Sequence, residues 1–362
     1  MSASAHRKSL AALAAVAVLA LALAPGSGAT TSSLASAYLA YGTATASASS
    51  QPQVWALGMG TTSELLGPGQ EPLLSPDGML VAASLSASGD SGPSLAIYPV
   101  APGPAHAYGN LAGATAEPLA WSPDAKYLAV AFNATSVGDA QARDSSLAVI
   151  EVQTGAVRTI AHGFVQGASF APNGSDELAF GLTQSFTEGA AVNIHIVEAD
   201  GSHARLLTHD GHGLNPVWGT VGIAYDRERP RHLEFPVYEI WLARPRGGRA
   251  RQLTHVKVGA LVSGLVPLAF SATGSRLLAE FEGQDTSAAW TVNVGSASAR
   301  ALTTPGRHSL QGAGISRDGS TVLVDEDSFE SPPSAGRIIT VPFGGGPAHV
   351  LVAHGAQASW NE

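Results

Sequence analysis

Trp121-Ser122-Pro123-Asp124-Ala125, followed by the apolar run Tyr127-Leu128-Ala129-Val130-Ala131-Phe132, decides the fold. Pro presets φ for the second position of a tight turn, Asp suits the third, and Gly or a small residue takes the left-handed position from which the next strand starts. Related copies are Leu74-Ser75-Pro76-Asp77-Gly78, Phe170-Ala171-Pro172-Asn173-Gly174, Phe270-Ser271-Ala272-Thr273-Gly274 and Ile315-Ser316-Arg317-Asp318-Gly319. A shortened copy is Val217-Trp218-Gly219-Thr220, and a truncated one is Ser359-Trp360-Asn361. Counted from the residue after each anchor, successive copies lie 47, 49, 48, 52, 45 and 45 residues apart. A fixed period of this length marks a repeat architecture, and it suits a four-stranded propeller blade.

Each turn is followed by a strand, a loop and a second strand, such as Ser146–Val152, Val192–Val197 or Tyr238–Leu242. A Gly-containing turn then leads to a short strand ending in Leu-Thr: Arg205–Thr208, Arg251–Thr254 and Arg300–Thr303. Four strands per repeat, A to D, make one blade. Blades are expected to start near residues 69, 116, 165, 213, 262 and 309. Residues 36–66 hold B-, C- and D-like stretches without an A strand, and 356–360 is an A strand with nothing after it. Together they predict a seventh blade shared between the termini, which removes an open sheet edge. The expectation is an all-β, seven-bladed β-propeller occupying 30–362; six blades with a loose N-terminal arm is the alternative.

The repeat resembles the TolB-type β-propeller repeat, a relative of WD-type blades, through its Trp/Phe-Ser-Pro-Asp-Gly anchors and its Arg-x-Leu-Thr blade ends. The resemblance covers about residues 36–360. It implies a propeller of the kind that serves as an interaction module in the cell envelope, precedes the hydrolase domain of prolyl-oligopeptidase-like enzymes, or in related forms acts as a lyase. The sequence departs from TolB in having no small α/β domain ahead of the propeller. It departs from the peptidases in having no hydrolase domain after it.

Residues 1–29 read differently. His6, Arg7 and Lys8 precede an uncharged apolar run from Leu10 to Ala24, then Pro25 and the small residues Ser27-Gly28-Ala29. That is the pattern of a secretory signal peptide. The run is short for a membrane span, which needs about 20 residues. An extracellular, periplasmic or cell-wall location is therefore expected, without stable membrane insertion after cleavage. The mature chain would carry 17 Lys and Arg against 28 Asp and Glu. This acidic balance speaks against nucleic acid as a partner. There is no cysteine, so disulfides, thiolate chemistry and a lipidated Cys are excluded.

Candidate chemistry is sparse. Gly89-Asp90-Ser91-Gly92-Pro93 resembles the nucleophile segment of trypsin-like proteases, but no histidine segment accompanies it. Histidines 162, 209, 212, 255, 308 and 354 all fall between a D strand and the next A strand, on one face of the ring, its top face. Only His212 and His308 lie near enough to their A strands to approach the central channel. No metal site and no cofactor is expected from them. The arginine-rich stretch divides by face. Arg227, Arg229 and Arg231 belong to a B-to-C loop on the top face, and Arg244–Arg249 to a C-to-D turn on the other. Asp325, Glu326 and Asp327 form an acidic B-to-C loop on the top face. Loops on a rigid scaffold are the usual place for function.

His212, Arg227, Arg229, Arg231, His308, Asp325, Glu326 and Asp327 are therefore the candidate binding residues, with no catalytic set among them. The functional expectation is a monomeric, non-enzymatic binding module for an envelope or secreted protein, or for a small polar ligand. The alternative is a propeller enzyme of the lyase or hydrolase class, acting on a carbohydrate or small polar substrate in the central channel.

Overall fold

The computed structural model describes residues 20–22, 34–43, 51–59, 62–86, 93–109, 114–134, 145–185, 190–229, 237–256, 262–283, 287–303, 309–327 and 336–361. Every regular element among them is a β-strand. Six blades follow one another. Their inner strands are Gln70–Leu74, Ala114–Trp121, Phe164–Phe170, Gly213–Gly219, Val262–Phe270 and Ser309–Ile315. The seventh sheet runs Ala356–Trp360, Leu39–Thr43, Gln53–Leu57, Ser63–Pro68. Its inner strand comes from the C-terminal end and its other three from the N-terminal end. Leu39 opposes Trp360 and Ala40 opposes Ser359 across this seam. The seven-bladed ring closed by a shared blade is thus the observed architecture.

The outer edge of blade 1 carries one more strand. Ala20–Ala22, inside the apolar run from Leu10 to Ala24, pairs antiparallel with His106–Tyr108. Blades 4 and 5 are also joined by a single bridge pair, Tyr238 with Gly264.

The repeat motif is a hydrogen-bond device. In blades 1, 2 and 6 the turn Ser donates to the turn Asp: Ser75 Oγ to Asp77 Oδ1 (2.6 Å), Ser122 Oγ to Asp124 Oδ1 (2.7 Å) and Ser316 Oγ to Asp318 Oδ1 (2.6 Å). The same Ser oxygens accept from the backbone N–H of Leu80, Tyr127 and Thr321, five residues on. The turn is closed by its own side chains, so strand B starts at a fixed register. Gly78, Gly174, Gly274 and Gly319 hold the left-handed φ that this turn requires, and in blade 2 Ala125 adopts it at φ 58°.

The core is a ring of interfaces between adjacent blades. Ala82, Leu95, Ile97, Leu128, Val130 and Ile150 fill one such layer, and Leu278, Ala289, Leu310, Val322, Val324 and Ile339 another. Small residues alternate with branched ones, which lets neighbouring sheets interdigitate. The blade-end motif serves the same interfaces. Leu253 is fully buried, and Thr254 Oγ1 accepts from Ile240 N (2.8 Å). Thr208 Oγ1 does the same for Ile194 N (2.9 Å).

Candidate functional site

All seven inner strands carry a bulge or register irregularity against strand B. Above each bulge, towards the top face, the inner strand faces one B-strand residue. These pairs are Gln70–Ser84, Glu117–Ala131, Gln166–Gly181, Leu214–Asp226, Val266–Glu280, Gln311–Asp325 and Ala356–Gly42. The B-strand members occupy equivalent places in the seven blades. Four of them are Ser, Ala, Gly and Gly. The three on consecutive blades 4, 5 and 6 are Asp226, Glu280 and Asp325. Bulges recur next to active sites because they re-aim side chains.

Alternation along strand B turns each of these residues towards the next blade. Glu280 Oε2 accepts from Gly312 N (2.8 Å), on the inner strand of blade 6. Asp325 accepts from Ala358 N (3.2 and 3.3 Å to its two oxygens), on the inner strand of blade 7. In blade 5 the register equivalent of Gly312 is Pro267, which has no N–H to offer. Asp226 is 2% exposed, and its Oδ1 has no hydrogen-bond partner. Glu282, two residues beyond Glu280, is exposed at the rim.

These carboxyls act on one another. Burial pushes Asp226 up to about 7; the Asn215 side chain opposes the shift and the charge of Glu282 adds to it. Burial also pushes Glu280 up to about 7, against the Gly312 N–H and a bond from Ser287, and with help from Glu282 and Asp325. Glu282 itself is raised by the protein packed around it. Across the channel mouth, Glu117 is raised by its surroundings and by the charge of Glu71. Glu71 sits at φ 52° on its bulge, accepts from Ser84 Oγ (3.2 Å), and donates its own N–H to Gln357 Oε1 (2.9 Å). Glu117 and Glu282 are exposed to solvent.

Apart from Asp325, the residues singled out from sequence stand elsewhere than in this acidic sector. Arg227 and Arg229 lie within strand Gly222–Arg229, and Asp325–Asp327 within strand Thr321–Asp327, so neither group is in a loop as expected. Strand B extends further because the pairing with strand C continues through Arg229–Val237 and Glu326–Arg337. Arg227 points away from the acidic sector, pairs with Asp210 and stacks over Trp241 at 4.9 Å. His212 Nδ1 lies 3.3 Å from Glu228 Oε2, and its backbone bridges to Val192 of blade 3. Glu326 is buried and paired with Arg337. Arg231, His308 and the Gly89–Gly92 segment lie outside the described residues, as do the side chains of Arg229 and Asp327. No three of the described His, Asp and Glu residues converge closely enough to hold a metal ion.

Sequence reasoning recognised Asp325 but missed Asp226 and Glu280 as its equivalents. The signal was present: Glu280 and Asp325 each stand ten residues after their anchors, Phe270 and Ile315. The shorter turn of blade 4 hides the correspondence for Asp226. A cleft of about 720 Å³ opens on the opposite face between blades 6 and 7, against Tyr38, Met59, Arg317, Leu351 and Trp360. Its one carboxylate, Asp318, is tied into the turn by Ser316 and Ser320.

The closed ring of four-stranded antiparallel blades defines a β-propeller, as the resemblance of the repeat implies. No family model matches the chain, and no curated protein matches it in sequence. Solved structures do match. A puromycin hydrolase variant is 14% identical over 89% of this chain and 53% of its own, with a TM-score of 0.63. A prolyl endopeptidase is 13% identical over 86% of this chain and 47% of its own, with a TM-score of 0.58. An oligogalacturonate lyase in complex with manganese is 13% identical over 87% of this chain and 85% of its own, with a TM-score of 0.54. The chain spans about half the length of the two hydrolases it matches.

These matches correct the expectation of a non-enzymatic module. Solved structures similar to this chain include peptidases and a lyase. At such identities the likeness itself shows the fold alone, and the chemistry has to be argued from the site.

Proposed function

We propose that this chain is a propeller enzyme of the hydrolase or lyase class, working on a small polar substrate such as a carbohydrate at the top mouth of its channel. One observation carries the reading: equivalent places on blades 4, 5 and 6 hold Asp226, Glu280 and Asp325, where the other blades hold Ser, Ala or Gly. Paired carboxyls in different environments can divide acid and base roles, and a group that titrates near neutral pH is matched to proton transfer. Glu280 is the proton-transfer group nearest the rim. Asp226 lies deeper in the wall, and Asp325 is anchored on Ala358 N. Sequence features of residues 1–29 support export, so the reaction would take place outside the cytoplasm.

Glu280→Gln tests the reading, because it keeps the shape and most of the hydrogen bonding. Purified mature protein would be assayed against neutral, amino and acidic oligosaccharides, with reducing ends and unsaturated products both followed. The expected result is turnover of one class with a pH dependence centred near 7, reduced at least a hundredfold by E280Q. Turnover unchanged in E280Q, or no turnover of any class, would overturn the assignment.

A further inference from the structure

We propose that Asn173 is a self-modification site, at which the backbone nitrogen of Gly174 closes on the Asn173 side chain, expels ammonia and leaves an aspartyl or isoaspartyl residue. The site lies in the A-to-B turn of blade 3, at the end of the blade opposite the B-to-C loops, and is independent of the function proposed above.

Blade 3 departs from its repeat at this turn. In blades 1, 2, 5 and 6 the N–H of the anchor serine donates to a carbonyl five residues on: Ser75 to Leu80, Ser122 to Tyr127, Ser271 to Arg276 and Ser316 to Thr321. In blade 3 the same bond spans six residues, from Ala171 to Glu177. Ala171 also stands where those four blades have Ser, so it offers no hydroxyl to close the turn. The longer turn releases one amide. Gly78, Ala125, Gly274 and Gly319 each donate to the carbonyl three residues back, whereas Gly174 donates to no protein group among the described residues. An amide so released is solvated by water.

The carbonyl that this nitrogen would attack is activated. Asn173 Oδ1 accepts from Ser175 N (3.0 Å) and from Ser175 Oγ (2.8 Å). Two donors on one carbonyl oxygen draw charge from Cγ and hold the oxyanion of a tetrahedral intermediate. Nucleophile and electrophile are neighbours in one chain, so the closure is intramolecular. Asn173 and Gly174 are exposed, and a Cβ built on Gly174 would meet nothing within 4 Å, so nothing crowds the ring as it forms. Of the asparagines in the chain, only Asn173 precedes a glycine.

The step balances with water as the only co-reactant. Water takes the Gly174 amide proton, and the nitrogen pair forms a bond to Cγ. The Cγ–Nδ2 bond then breaks, and Nδ2 leaves with a proton as ammonia. The cyclic imide adds one water at either carbonyl. Opening at Cγ gives Asp, and opening at the main-chain carbonyl gives isoaspartate. Nothing is oxidised or reduced, and the chain gains one negative charge. An Asp at 173 suits the fold. Asp77, Asp124 and Asp318 hold the equivalent place, and each accepts through Oδ1 from the N–H two residues on, as Asn173 does from Ser175.

The purified chain, incubated at pH 6 and pH 8.5 in heavy-oxygen water and followed by peptide mass spectrometry, tests the proposal. The peptide containing Asn173 is expected to give two chromatographically separate products, each carrying one heavy oxygen. Conversion should be at least tenfold faster at pH 8.5 than at pH 6. It should also be at least tenfold faster than at Asn193 and Asn293, where the following amides are bonded to Thr208 Oγ1 and to Ser275 O. Gly174→Ala should slow it at least tenfold by crowding the attacking nitrogen. That variant is compatible with the turn, because Ala125 adopts the left-handed conformation in blade 2. Conversion seen only after the chain is unfolded in urea would overturn the proposal, because the folded turn would then be protective. A single aspartyl product, equal rates at the control asparagines, or an unchanged rate in G174A would overturn it as well.

Discussion

Arg251, on the outer strand of blade 4, donates from Nη2 to the carbonyl oxygen of Val294 in blade 5, at 2.9 Å. The contact recurs around the ring. Arg158 reaches Asp200 O (3.1 Å), Arg205 reaches Pro245 O (3.4 Å) and Arg300 reaches Phe343 O (3.4 Å). An arginine on the outer strand is thus a latch that ties blades 2 to 5 each to the bottom of the following blade.

Arg251→Ala is expected to cost about 1 kcal/mol, a modest value for a charge-assisted hydrogen bond at a partly solvated site. Arg249→Ala, on the adjoining exposed turn, serves as the control and should cost less than about 0.5 kcal/mol. Urea unfolding of the two variants provides the comparison. Equal midpoints would show that the latch contributes nothing.

The latch illustrates how far the sequence could be read. The Arg-x-Leu-Thr ends identified the blade boundaries because two of their residues act locally, with Leu in the interface and Thr on the strand C backbone. The target of the Arg lies some 40 residues away in the next blade, and no local pattern shows that. The turn motif was equally legible, because Ser122 and Asp124 complete their bonds within a few residues. The site was not. Asp226, Glu280 and Asp325 become equivalent only once register is known, and the bulges that set the register are invisible in composition. Strand lengths misled for a related reason. Arg227 and Glu326 look like loop residues by charge, but a propeller blade leaves the top of strand B at the rim, where a charged residue can stay in the ladder and find a partner across the gap.

The acidic sector gives the protein a pH dependence of known sign. Asp226 and Glu280 hold their protons more tightly in the native state, near 7, than in an unfolded chain, near 4. Their stabilising effect is therefore complete below about pH 4 and is lost as pH rises through about 7. Asp226→Asn removes one of the two groups. Relative to the native sequence it should gain stability between pH 5 and pH 8, by up to a few kcal/mol, given ~1.4 kcal/mol per pH unit of separation. Thermal unfolding of both proteins across that range would reveal it. Parallel curves would show that Asp226 ionises as an ordinary surface carboxylate does.

The turn aspartates work in the opposite direction. Ser316, with help from the N–H of Ser320, holds Asp318 down to about 2, and Ser122 lowers Asp124 in the same manner. Their contribution is present above about pH 4 and disappears as pH falls towards 2. Asp318→Asn should lower stability by a constant amount above about pH 4 and flatten the acid limb, so that the two curves converge towards pH 2, as a melting series from pH 2 to 9 would show. An acid limb identical to that of the native sequence would place the cause elsewhere.

Closure of the ring rests on Trp360. It opposes Leu39 in the shared blade, packs with Tyr38 and Ala313, and crowds Gly314 so closely that a Cβ there would lie 3.0 Å from its ring. Ser359, its neighbour, accepts from Leu74 N in blade 1 (3.0 Å) and so ties the shared blade to the first. Trp360→Ala removes a half-buried aromatic from the one blade that loop connections do not hold together, and about 2–3 kcal/mol should be lost. Gly314→Ala attacks the same contact from blade 6 and should be destabilising in its own right. Because the two residues touch, the double variant should lose less than the sum of the single losses. Urea unfolding of the four proteins measures that coupling. Strict additivity would mean that Gly314 and Trp360 do not share the seam, and that the ring is closed by the strand pairing of Leu39–Thr43 with Ala356–Trp360 alone.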